Sequence, residues 1–87
     1  MRIQLLLGEG CPNADHARTV VTQAARLLGL DAAVEEDMGV WPSPTVLVDG
    51  IDVMTGATGA APIHACRTDL PTVERVVAAL HHHSGIT

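Results

Sequence analysis

The chain has 87 residues, a length that points to one small domain near the lower limit for a self-sufficient core. Its hydrophobic fraction of 47% comes almost wholly from Ala, Val, Leu and Ile, with Trp41 as the only aromatic residue, so the core must be aliphatic. Ten acids against five arginines and no lysine give a formal charge of −5; without basic clusters or stacking aromatics, this argues against nucleic acid and anionic membrane surfaces as partners.

Residues 2–7, RIQLLL, form a short apolar run ending at Gly8, which suits a central strand covered on both faces. Ala14 to Leu28 places apolar residues at 17, 20, 21, 24, 25 and 28, the spacing of an amphipathic helix, and Gly29 fits the left-handed residue that ends one. Residues 32–36, AAVEE, are expected to form a second strand, parallel to the first after the crossover helix. DMGVWPSPT carries two prolines and a glycine and reads as a loop. TVLV (45–48) and IDVM (51–54) flank Asp49-Gly50, a strong two-residue hairpin signal.

Residues 55–70, rich in Gly, Ala and Thr, read as an irregular loop, long enough for so small a domain to suggest function. A last helix is expected from Thr72, whose hydroxyl would cap it, through VERVVAAL to the histidines; residues 81–87 are expected to form a flexible tail. The whole chain, 1–87, then reads as a single α/β domain of order βαβ-ββα, a mixed sheet with helices packed on it. No apolar run spans a bilayer and residues 1–10 lack the features of a secretion signal, so a cytoplasmic, monomeric protein is expected.

Two cysteines, Cys11 and Cys66, do not make a disulfide scaffold, and in a reducing cytoplasm they would rest mostly as thiols. The sequence places Cys11 at the helix start as N-cap, with Pro12 at the first helical position. Unpaired N–H groups and the positive end of the helix dipole there favour thiolate, the nucleophilic form. Glu9 and Asp15 oppose this, and His16 and Arg18 would offset them if near the sulfur. Cys66 lies beside Arg67, an arrangement that also favours thiolate.

GCPNA (10–14), SPTVLVDG (43–50) and the order of elements together resemble a thioredoxin-fold protein of glutaredoxin size, across nearly the whole chain. The chain is also similar to a group of small bacterial thioredoxin-like proteins. The resemblance implies thiol oxidoreductase activity with Cys11 as nucleophile, no cofactor, and a thiol or disulfide substrate that is either a protein or a small molecule. It further implies a cis bond before Pro44, and a substrate groove shaped by Pro12, Ser43, Pro44 and Thr45 in which the Ser43 backbone is free to pair with an extended substrate.

The chain departs from the dithiol pattern at Ala14, where a CxxC motif would place its second cysteine, which makes a monothiol motif. A mixed disulfide on Cys11 must then be resolved by an external thiol or by Cys66; Cys66 as a loop cysteine without a partner is the alternative. No Gly-Gly pair or nearby lysine marks a glutathione site. A competing class is a soft-metal module drawing on Cys11, His16, His64, Cys66 and His81 to His83. A third is a non-catalytic thioredoxin-fold interaction domain. Glu35, Glu36 and Asp37 read as a solvated strand end, and Trp41 as a core residue or a wall of the groove.

Overall fold

A computed structural model describes residues 2–30 and 33–83. The elements are β1 (Ile3–Gly8), α1 (Ala14–Leu27), β2 (Val34–Gly39), β3 (Pro42–Ser43), β4 (Thr45–Val48), β5 (Ile51–Asp52), β6 (Ala65–Cys66) and α2 (Val73–His83). Four strands form a mixed sheet in the order β2-β1-β4-β5, and β3 and β6 form a separate two-stranded piece. β1 runs parallel to β2, with Ile3 opposite Val34, and antiparallel to β4, with Ile3 opposite Val48. The protein is thus a small α/β structure with a mixed sheet and two helices.

The apolar strands take the buried positions. Ile3, Leu5 and Leu7 of β1 and Val46 and Val48 of β4 join Ala17, Val20, Val21 and Ala24 of α1 and Val76 and Leu80 of α2 in one core cluster. Side chains alternate across a strand, so Leu6, Thr45 and Leu47 point to the opposite face. These too are buried, at 3%, 1% and 4% exposure. Asp52 pairs with Leu47 across the β4–β5 ladder and shares this second face. Arg67 reaches Thr45 and Asp52 there, which brings the long segment after β5 to the face opposite the one that joins α1 and α2 in the core cluster.

The element ends follow their local chemistry. α1 closes with Gly29 at φ 64°, and Gly29 N–H donates to Arg26 while Leu30 N–H donates to Ala25, the paired bonds of a Schellman cap. Asp49 and Gly50 take φ values of 51° and 82°, as a type I′ hairpin turn requires. Thr72 Oγ1 accepts the Arg75 N–H at 3.2 Å, so the hydroxyl caps α2 as the sequence predicts.

Three expectations are corrected. The second strand lies at 34–39 rather than 32–36, so DMG is strand and not loop, while Ala32 falls outside the described residues. It is an exposed edge strand, held by backbone pairing to β1 rather than by an apolar face. β5 ends at Asp52, where the carboxylate accepts the N–H groups of Met54 and Thr55 and turns the chain. Of the expected tail, His81 to His83 belong to α2, and residues 84–87 lie outside the described residues.

Leu80 is fully buried between the helices and the sheet. Leu80→Ala is expected to lower unfolding stability by about 2–5 kcal/mol, read as a lower urea midpoint with unchanged slope.

Candidate functional site

The loop between β1 and α1 turns at Gly10, whose φ of 82° is open to glycine at little cost. Cys11 follows, but it is not the helix cap. Pro12 and Asn13 form a turn, Asn13 occupies the N-cap position without a side-chain capping bond, and its carbonyl accepts the Ala17 N–H at 3.1 Å. Cys11 therefore stands a turn ahead of the first helical residue, with Pro12 exposed beside it.

Cys11 and Cys66 are joined in a disulfide, with their Cα atoms 5.6 Å apart. The sulfur that Ala14 denies to a CxxC motif is supplied from 55 residues downstream. The expectation of resting thiols is thus replaced by a bonded pair, and the monothiol motif by a two-cysteine site. Cys66 sits on β6, which runs parallel to β3 with Ser43 opposite Cys66 and Pro42 opposite Ala65.

The pairing settles what the Ser43 backbone does in this state. The Ser43 carbonyl accepts the Arg67 N–H at 2.7 Å, and the Trp41 carbonyl accepts the Ala65 N–H at 3.5 Å. The edge expected to be open for an extended substrate is filled by the chain's own residues 65–67. Ser43, Pro44 and Thr45 are all buried, and the Ser43–Pro44 peptide bond is cis. Of the six expected site residues, the fold brings Cys11, Cys66 and Ser43 together. Pro44 and Thr45 follow inward on the same strand path, and Pro12 remains at the rim.

Further contacts tie the β1–α1 loop to the segment carrying Cys66. His64 Nε2 donates to the Glu9 carbonyl at 2.9 Å. The Ala65 carbonyl oxygen lies 3.9 Å from Cys11 Sγ. At the end of β1, a Cβ on Gly8 would stand 3.3 Å from Ser43 Cβ and 3.4 Å from both the His64 ring and the Trp41 carbonyl. A side chain there would press on Ser43, which would have to give by a few tenths of an ångström, so Gly8 marks a close approach of β1, β3 and this segment. Trp41 belongs to neither expected role alone: it is half-buried, its indole lies over Gly39, and its buried Nε1 has no hydrogen-bond partner.

Arg67 anchors the Cys66 side. Its guanidinium donates to Thr45 Oγ1 at 2.9 Å, to Asp52 Oδ2 at 2.7 Å and to both carboxylate oxygens of Asp69. The Arg67 and Asp52 side chains are each only 9% exposed. Thr45 Oγ1 in turn donates to the Pro42 carbonyl, which carries the network back to β3. The Asp69 carboxylate, and after it the buried Asp52, raise the Arg67 pKa above the ordinary arginine value; the Arg67 hydrogen bond in turn holds the Asp69 carboxyl below its ordinary value of 3.8. A guanidinium so occupied is directed into the sheet and has its charge matched, so Arg67 does not serve Cys66 as a free cation.

The other charges expected near Cys11 are also engaged elsewhere. His16 donates from Nε2 to the Pro71 carbonyl at 3.2 Å, joining α1 to the approach of α2. Arg18 pairs with Asp15 and with Glu36 of β2. Among the described residues, no three or more His, Cys, Asp or Glu side chains converge as a metal site in this oxidised state. Among the described residues, no helix is long and apolar enough to cross a membrane.

The sequence reading missed the Arg67 network, although one signal for it was present. Thr45 and Asp52 are polar residues on positions that the strand periodicity turns inward, and a buried polar side chain requires a partner. No protein-family profile, curated protein or solved structure matches the chain.

Removing Arg67 leaves the Asp52 carboxylate buried and unpaired. Arg67→Met is expected to destabilise the protein by about 3–5 kcal/mol, whereas pairing it with Asp52→Asn, which removes the charge and keeps an oxygen to accept the Met54 and Thr55 N–H groups, is expected to recover much of the loss; urea titration of both variants checks this. Asp69 adds a pH dependence with a fixed sign. Because its folded pKa lies below 3.8, its stabilising contribution is complete above that value and is lost as pH falls through the folded pKa. Asp69→Asn is expected to flatten this part of the acid limb, measured as unfolding midpoint against pH.

Proposed function

We propose that the protein is a thioredoxin-like thiol–disulfide oxidoreductase in which Cys11 is the nucleophile and Cys66 the resolving thiol. The observation that carries this reading is the Cys11–Cys66 disulfide itself, which is compatible with redox chemistry and lies at the protein surface rather than in the core. The strand order β2-β1-β4-β5, with its parallel first pair, supports a thioredoxin-like arrangement.

In the reduced protein, the Cys11 thiolate attacks one sulfur of a substrate disulfide. A Cys11–substrate disulfide forms, and the second substrate sulfur leaves as a thiolate that takes up a proton. The Cys66 thiolate then attacks Cys11 Sγ, re-forming the Cys11–Cys66 bond and expelling the first substrate sulfur. Two electrons pass from the cysteine pair to the substrate, and an external thiol restores the pair. Cys11 precedes the N-terminus of α1, and the positive end of the helix dipole favours its thiolate form. The substrate is a protein or low-molecular-weight disulfide, and we place the protein in the cytoplasm as a monomer.

Insulin reduction driven by dithiothreitol tests the assignment. The wild type is expected to accelerate it, Cys11→Ser to fall to the uncatalysed rate, and Cys66→Ser to turn over more slowly, with a mixed disulfide on Cys11 that persists until dithiothreitol resolves it. A wild type no faster than dithiothreitol alone, or a fully active Cys11→Ser, overturns the reading.

A further inference from the structure

The two cysteines of the disulfide are not equally exposed. Cys66 is exposed, as is every residue from Ala61 to Ala65 before it. Cys11 is half-buried, and its Sγ has the Ala65 carbonyl oxygen 3.9 Å away. That oxygen carries partial negative charge, which disfavours the approach of an incoming thiolate to Cys11.

The leaving group gives the same asymmetry. Attack on one sulfur expels the other as a thiolate, and exchange is faster when the expelled thiol has the lower pKa. Cys11 lies just ahead of α1, a helix of 14 residues whose first N–H groups have no intrahelical acceptor. Cys66 ends a two-residue strand rather than preceding a helix, and the guanidinium of its neighbour Arg67 is turned to Asp52, Asp69 and Thr45. Accessibility and leaving-group stabilisation both favour attack at Cys66.

We infer that the reductant enters at Cys66, so that the two halves of the cycle use different sulfurs: Cys11 meets the disulfide substrate, and Cys66 meets the thiol that resets the pair. The inference rests on the redox reading above. The reductant thiolate, RS⁻, attacks Cys66 Sγ, forming an RS–Cys66 disulfide and breaking the bond to Cys11, which leaves as a thiolate already at the position from which it attacks substrate. A second thiolate of the same class then attacks the R sulfur, releasing RSSR and the Cys66 thiolate. Two thiols are oxidised and one protein disulfide is reduced.

The test uses the oxidised full-length protein and glutathione as the probe thiol. Brief exposure is followed by an excess of N-ethylmaleimide, and peptide mass spectrometry locates the adduct. The expected result is glutathione on Cys66 with alkylated Cys11, in about tenfold excess over the converse adduct, the ratio given by a barrier difference of about 1.4 kcal/mol. In denaturing urea the preference is expected to vanish. Adducts chiefly on Cys11, equal adducts on both sulfurs, or a preference that survives unfolding would overturn the inference while leaving the redox reading in place. A bond that resists glutathione and dithiothreitol at both sulfurs would overturn the redox reading as well.

Discussion

The arrangement depends on the ion pair between Arg67 and Asp52. β6 is two residues long, and its ladder to the equally short β3 is too small to fix a segment of chain by itself. Arg67 follows Cys66 directly and reaches across the second face of the sheet to a carboxylate on β5 and a hydroxyl on β4. Burying these groups costs free energy that the pairing offsets only while both partners are present. The consequence is positional more than energetic: with its neighbour pinned to the sheet, Cys66 is carried to the loop that holds Cys11.

The same network explains which parts of the protein were legible in the sequence. Features encoded by neighbours in the chain could be read: the apolar run of β1, the α1 stripe with Gly29 behind it, the Asp49-Gly50 turn and the Thr72 cap. β2 was misplaced because Glu35, Glu36 and Asp37 carry no apolar alternation; this edge strand is defined by its partner's backbone, to which Arg2 and Arg18 add ion pairs with Glu35 and Glu36. β3 and β6 left no signal, since two residues have no period. Asp52 and Arg67 are separated by an irregular stretch, and only the folded sheet shows that they meet.

The candidate site divides in the same way. GCPNA and SPT marked the two places that come together, and the missing cysteine at position 14 showed that any second sulfur had to come from elsewhere. Three local details needed the structure. Pro12 and Asn13 turn before the helix begins, so Cys11 precedes the cap. The Ser43 carbonyl is taken by Arg67 N–H, so the chain supplies its own strand at the edge where a substrate was expected to lie. His16 and His64 are spent on the Pro71 and Glu9 carbonyls, and Arg18 on the carboxylates of Asp15 and Glu36.

The disulfide spans 55 residues, and for a closure of that length chain-entropy reasoning assigns about 4 kcal/mol of stability to the cross-link. Free energy around a closed cycle must balance, so the amount by which the bond stabilises the fold equals the amount by which the fold favours the bond. The affinity of the two sulfurs for each other is therefore a property of the whole architecture. Asp52 touches neither cysteine in the hydrogen-bond network, yet by holding Arg67 it helps to set how readily the pair accepts electrons. In this small protein, the tuning of a reactive bond and the packing of the second sheet face are one and the same thermodynamic quantity.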